Sequence, residues 1–217
     1  MPPTERTRVR RLPERGLYER EAIHAILDEA LVCHLACAVE GHPRVIPTIH
    51  ARVGDTLYLH GSAASRTLRT LRGSIEACVV ATIIDGLVLA RSAFHHSMNY
   101  RSAIVYGVAR EVTEREEQLR AALALTEHVA PGRGTEARMP NDEELRQTTM
   151  LAIPIAEASA KVRTGPPKDD EEDLGLPLWA GVLTLSLAAG PPVPSPDLSD
   201  GINVPAYLTD YHRPGGN

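Results

Sequence analysis

Thr56-Leu57-Tyr58-Leu59-His60-Gly61-Ser62-Ala63-Ala64-Ser65-Arg66-Thr67-Leu68-Arg69-Thr70-Leu71-Arg72 changes its hydrophobic period halfway along. Up to His60 the leucines alternate with bulky polar partners, the pattern of a half-buried strand, and Gly61 to Ala64 end it. Ser65 is a good N-cap, and the spacing of Leu68 and Leu71 predicts a short helix with Arg66, Arg69 and Arg72 around its other faces. Cations in a first helical turn oppose the macrodipole at a cost of roughly 0.3–1 kcal/mol each. Arg66 and Arg69 therefore predict a bound anion, held with free turn amides and the hydroxyls of Ser62 and Ser65. The competing reading is a solvated basic helix, and the residues alone leave both open.

Working outward, the apolar spacing of Ile23, Ile26, Leu27 and Ala30 predicts a helix over 18–30. Leu31 to Val39 and Arg44 to Val53 read as a hairpin turned at Gly41-His42-Pro43. Glu76 to Ile84 is the next strand; Asp85-Gly86 predicts a turn, Leu87 to Ala90 a resumed strand, and Ser102 to Val112 another. Thr113 followed by Glu116 predicts the cap of a helix over 114–129. A shorter helix over 141–149 leads into Met150 to Val162, where Lys161 and Arg163 share a strand face, and Leu178 to Leu183 reads as a last strand. Many short strands with few helices between them favour a compact β-barrel over a parallel α/β sheet.

The 217 residues support one sizeable domain, expected over 17–187, with a basic arm over 1–16 and a Pro/Gly-rich tail over 188–217. The tail's Ile202, Val204, Tyr207, Leu208 and Tyr211 are apolar groups spaced to lie over a groove. There is no internal repeat. A net charge of −5 argues against nucleic-acid and anionic-membrane partners, although Arg6, Arg8, Arg10, Arg11 and Arg15 make the arm locally basic. The chain shows neither the apolar core of a signal peptide nor a stretch long enough to span a bilayer, so a cytoplasmic location is expected. Cys33, Cys37 and Cys78 then read as reduced, buried thiols; with nearby histidines they match no standard zinc spacing, and no metal is expected.

Leu89 to Ser102 is dense in hydrogen-bonding side chains for a link between apolar strands. Asn99 and Ser97 suit a heteroaromatic edge, Arg101 a phosphate or an electron-rich ring, Met98 or Tyr100 a flat face. A self-satisfied crossover is the plainer alternative. His95 and His96 point oppositely in an extended chain and have no carboxylate nearby in sequence, so structural roles are expected for both.

These segments resemble the FMN-binding split β-barrel family, in its pyridoxamine 5′-phosphate oxidase-like, nitroimidazole-reductase-like branch. The resemblance spans Leu12 to Leu185. It rests on Ala22 to Leu27 with Cys33-His34-Leu35, Arg44 to His50, LYLHGSAASRTLR, FHHSMNYRSAIVYG, KVRTGPP and LPLWAG. It implies a mainly β fold with peripheral helices, a six-stranded antiparallel split β-barrel, homodimeric, with FMN at the subunit interface. Carried onto this sequence, Ser65 and Arg66 become the phosphate ligands, with His60, Gly61 and Ser62 along the ribityl and phosphate path. Pro47, Thr48 and Ile49 offer backbone to the ring edge, and Asn99, Arg101 and Trp179 make contacts across the dimer. Thr67 stands where true oxidases commonly carry lysine, which leaves Arg69 as its substitute. The C-terminal signature with which true oxidases hold pyridoxamine phosphate is absent, so that activity is disfavoured and no catalytic side chain is assigned.

The resemblance implies an FMN-dependent oxidoreductase passing electrons from a small-molecule donor to a small acceptor. The alternatives are a flavin-storage or sensing dimer without turnover, and a haem-binding member using His34, His60, His95 or His96 as axial ligand.

Overall fold

The computed structural model describes residues 1–211, so the last six residues of the expected tail lie outside the described residues. The strands and helices, in chain order, are β1 (Gly16–Leu17), α1 (Arg20–Glu29), β2 (Cys33–Val39), β3 (His42–Thr48), β4 (His50–Val53), β5 (Thr56–Ser62), α2 (Arg66–Leu71), β6 (Glu76–Leu89), β7 (Ser97–Val108), β8 (Arg110–Glu111), α3 (Arg115–Val129), α4 (Asp142–Gln147), β9 (Thr148–Pro154), β10 (Glu157–Arg163), β11 (Gly181–Thr184) and α5 (Ala206–Thr209). They form two antiparallel sheets. One runs β1-β10-β7-β6-β2-β3 with β11 also on β6; the other runs β4-β5-β9-β8. The fold is mainly β with few helices, and the count of strands exceeds the six expected.

Single residues turn the chain from one sheet into the other. Thr48 pairs with Cys33 in the larger sheet, whereas His50 pairs with Leu59 in the smaller, so Ile49 alone makes the corner. Ala109 does the same between β7 and β8, fully buried with its N–H on the Ile75 carbonyl. The expected single strand from Arg44 to Val53 is therefore two. At Gly107 a Cβ would lie 2.9 Å from Ile153 Cγ2 and 3.1 Å from the Pro154 carbonyl, so the sheets meet there because no side chain intervenes.

The expected turn at Asp85-Gly86 does not form. β6 runs through it with a register shift between Ile84 and Gly86, which fits a bulge. One flank of β6 thus serves two partners, β2 at Ala77–Ala81 and β11 at Gly86–Leu89. The expected cap at Thr113 is also displaced: Glu114 holds the N-cap position without a side-chain bond, while Gln118 Nε2 donates to the Val112 carbonyl. α4 opens with a full capping box, Asn141 and Glu144 each bonding the other's backbone.

Ile23, Ile26 and Leu27 of α1 plug a core built from Cys33, Leu35, Leu57, Leu59, Val79, Val105, Leu151 and Ile153. Tyr58 departs from the half-buried reading of β5: it is 7% exposed, because Ala121 of α3 and Leu145 of α4 cover the other face of β5 and β9, packing with Val112 and with Met150 of β9. Its hydroxyl donates to Glu117 Oε1 at 2.8 Å. The thiols are free, and burial pushes Cys33 up to about 12.

The N-terminal arm straps across β10, β7 and β6. Arg6 pairs with Glu157 and Glu76 and lies 4.9 Å over the Tyr106 ring, and Val9 N–H donates to the Tyr18 hydroxyl at 2.9 Å. The tail docks on the end of α3, where the Tyr207 hydroxyl donates to Glu136 and the Tyr211 hydroxyl to the Val129 carbonyl, both at 2.8 Å. No helix among the described residues is long and apolar enough to cross a membrane.

Candidate functional site

β5 delivers the chain to α2 at the edge of the barrel. The register is close-packed: a Cβ on Gly61 would sit 2.5 Å from Leu68 Cδ1, so the glycine lets α2 lie down on the strand it follows. Ser65 caps the helix as expected, accepting from Leu68 N–H at 3.5 Å. The turn spends most of its amides internally. Ala63 N–H donates to the Gln147 carbonyl, Ala64 N–H to Ser62 Oγ and Ser65 N–H to the Ser62 carbonyl. Only the amides of Arg66 and Thr67 remain for a ligand, fewer than the sequence reading supposed.

The arginines sort cleanly. Arg72 is taken, 3.0 Å from Glu111 Oε1 and bonded to Thr149. Arg66 and Arg69 are exposed, and neither has an acidic partner among the described residues. Two unpaired cations, two amides without acceptors and the Ser62 and Ser65 hydroxyls thus gather at one helix opening, a group fitted to an oxyanion. His60 shares the Ser62 face of β5. It is half-buried, its Nδ1 is enclosed without a partner, and burial lowers its pKa.

β3 is an edge strand, so one side of its backbone is unpaired beside Pro47 and Thr48, next to the Ile49 corner. Across the outward face of the larger sheet, register places Pro47, His34, Val80, Ile104 and Ser159 in one row. Val45 and Ala36 adjoin it in the next row. Val45 is 59% exposed, and His34 is exposed in the middle of this largely apolar surface. By sequence His34 is a candidate haem ligand and a neighbour of the cysteines weighed for zinc; its two-residue alternation with Cys33 and Leu35 is the signal that it faces outward.

Asn99 and Arg101 lie in β7, not in a loop, and each is engaged within the chain. Arg101 bridges α1 to the bulge, with Nε 2.9 Å from Asp85 Oδ2 and NH2 2.7 Å from Glu29 Oε1. Asn99 Oδ1 accepts from Arg163, which also donates to the Gly165 and Pro166 carbonyls at 3.1 Å and is 6% exposed. Lys161 shares Arg163's face but is only half-buried. Trp179 is 67% exposed, its indole lying over Gly181.

The link between β6 and β7 is cross-braced by the acidic loop. Arg91 holds Asp169 through its amide and its guanidinium, each at 2.8 Å. His95 Nε2 lies 3.0 Å from Asp170 Oδ2, a carboxylate far along the chain that raises the His95 pKa. His96 Nδ1 lies 3.0 Å from the Ser92 carbonyl.

A family model described as pyridoxamine 5′-phosphate oxidase matches residues 19–162. Among solved structures, the chain is similar to the flavocytochrome Anf3 of Azotobacter vinelandii, at 35% identity and TM-score 0.89, over 97% of this chain and 98% of that one. It is similar to an FAD- and haem-binding protein of Mycobacterium smegmatis at 34% identity and TM-score 0.87, over 94% and 100%. A candidate 5-nitroimidazole antibiotic resistance protein of Bacteroides thetaiotaomicron shares the fold at 23% identity and TM-score 0.57, over 68% of this chain and 86% of that one. No protein of curated function matches the chain.

Proposed function

The chain belongs to the pyridoxamine 5′-phosphate oxidase family of split β-barrels, and from that premise we propose that it is a flavocytochrome-like redox protein, binding a flavin phosphate at the opening of α2 and a haem elsewhere on the same subunit. The observation that carries the flavin half is the pair Arg66 and Arg69, without acidic partners among the described residues and beside two serine hydroxyls and two open amides. The haem half is supported by extent. The two relatives named for haem or cytochrome character cover 97% and 94% of this chain, whereas the nitroimidazole-type relative covers about two thirds.

This reading replaces FMN by FAD as the favoured flavin, since the Mycobacterium relative is described as binding FAD. A flavin and a haem together supply a two-electron and a one-electron centre. The protein's share is to hold the phosphate at Arg66 and Arg69, to offer the β3 edge at Pro47 and Thr48 to a ring, and to exclude water by dimerisation. The outward row through Pro47, His34, Val80 and Ile104 is the face such a homodimer would bury. The missing C-terminal signature keeps pyridoxamine phosphate oxidation disfavoured, and Thr67 in place of lysine leaves Arg69 to supply the second charge at the phosphate.

The test is to purify the chain after expression with haem precursor, record its absorbance, and identify the released flavin by mass. Flavin bands together with a Soret band support the proposal. Flavin alone returns the reading to an FMN or FAD oxidoreductase or carrier, and no chromophore after titration with both cofactors overturns it. Sedimentation of the loaded protein tests the dimer.

A further inference from the structure

We propose that His96 is the axial ligand to the haem iron; this rests on the haem reading above. Of the nine histidines, eight fall among the described residues, and they differ in which nitrogen an external iron can reach. His50 and His128 belong to the interior, their Nε2 atoms 2.8 and 2.9 Å from the Leu27 and Ala30 carbonyls, and their ring centroids lie 4.8 Å apart with the planes tilted by 49°. His24 Nε2 is enclosed 3.3 Å from Asp55. The Nδ1 of His60 is enclosed. His95 offers its Nε2 to Asp170. His34 and His42 are exposed, with no hydrogen bond to fix either ring.

Among the described residues, His96 alone combines exposure with a fixed ring. The Ser92 carbonyl can only accept, so Nδ1 carries the proton and donates at 3.0 Å. In the neutral ring the lone pair then sits on Nε2, for which no hydrogen-bond partner is found among the described residues, in a residue that is exposed. A backbone carbonyl on one nitrogen and the metal on the other is how ligating histidines are usually held, because that bond sets tautomer and orientation.

The surroundings suit a porphyrin. Phe94 is 87% exposed, Trp179 67% and Met98 48%. Register joins the last two: Met98 pairs with Leu87, which pairs with Leu183 of β11, and the Trp179 indole lies over Gly181, opposite Leu89, while Phe94 lies two residues before His96 in the link. An uncovered apolar ledge of this kind on a small protein implies an occupant. A haem face, with its iron at His96, covers that ledge and uses the one ring the loop has oriented for it.

The experiment compares the haem-loaded wild-type protein with His96→Gly, His96→Cys, His34→Ala and His42→Ala, following the Soret band, the electron paramagnetic resonance spectrum, haemin affinity and flavin content. The expected result is that His96→Gly retains flavin, weakens haemin by roughly tenfold or more and regains the wild-type spectrum in millimolar imidazole. His96→Cys should show a thiolate signature, while the other two variants keep the wild-type spectrum. A wild-type Soret band and affinity in His96→Gly overturns the assignment while leaving the haem reading intact. A wild-type protein that takes up no haem overturns both.

Discussion

Replacing Arg66 by alanine separates ligand binding from folding more cleanly than any other change in this chain. The side chain is exposed and has no acidic partner among the described residues, so its loss breaks no internal bond. The bond from Thr70 Oγ1 to the Arg66 carbonyl is to backbone and survives. Removing a cation from the first turn of α2 relieves about 0.3–1 kcal/mol of unfavourable dipole interaction, so the apoprotein should be as stable as wild type or slightly more so. In the loaded protein the same change deletes a charge-assisted hydrogen bond to phosphate, in general about 1.5–3 kcal/mol. The helix opening is solvent-accessible, which favours the lower half of that range. At about 1.4 kcal/mol per decade, a loss of about 1.5–2 kcal/mol weakens binding roughly 10- to 30-fold. The assay is quenching of flavin fluorescence on titration into apoprotein, with FAD, FMN and riboflavin in parallel. Riboflavin has no phosphate, so its affinity should not change, and raising the salt should narrow the gap between wild type and variant for the phosphorylated flavins alone. Equal loss for riboflavin and FMN, or no loss for either, would refute the phosphate assignment.

Gly61→Ala places a Cβ 2.5 Å from the buried Leu68 Cδ1 and should cost roughly 1–3 kcal/mol in denaturant unfolding, with part of the cost recovered in a Gly61→Ala/Leu68→Ala double variant. Arg101→Leu withdraws one guanidinium from both Glu29 and Asp85; because the group is partly exposed, the expected loss is roughly 2–4 kcal/mol, toward the lower side of that for a buried pair, and a loss under about 1 kcal/mol would count the bridge as ornamental. His95 has its pKa raised by Asp170, so the clasp's contribution is complete below the unfolded value of about 6.5 and is lost as pH rises through the higher folded value. The melting temperature of wild type should therefore exceed that of His95→Gln at acidic pH and converge with it at alkaline pH; a constant gap would show that the titration is not coupled to folding.

Local signals carried much of the fold. The alternation Cys33, Leu35, Cys37 placed those residues inward, Ser65 capped the helix it was expected to cap, and the spacing in α1 located its buried face. What failed was decided at a distance. Tyr58 looks solvent-facing by alternation, but α3, arriving more than fifty residues later, buries it. Asp85-Gly86 has the composition of a turn, yet β2 and β11 both need the same flank of β6, and their pairing holds the chain extended through it. The corner at Ile49 has no glycine or proline of its own to announce it; it exists because β4 finds β5.

The polar run from Leu89 to Ser102 shows why density of hydrogen-bonding groups is a poor guide to a binding site. Arg91, His95 and Arg101 each turn out to have a carboxylate brought in from another segment, and Asn99 has Arg163. Their number reflects the cross-bracing of loops, which a linear sequence cannot display. Unmet demand is the better criterion, and it is a property of the folded chain: Arg69 in α2 and Arg72 at its C-cap are three residues apart, yet Glu111 satisfies Arg72 and no acidic group among the described residues satisfies Arg69. The same test singles out His96 from its neighbour, since Asp170 engages Nε2 of His95 while the Ser92 carbonyl accepts from Nδ1 of His96, and nothing among the described residues takes His96 Nε2. Physical chemistry penalises a polar group left without a partner only where water cannot serve, so these exposed groups cost the apoprotein little and are available to whatever binds.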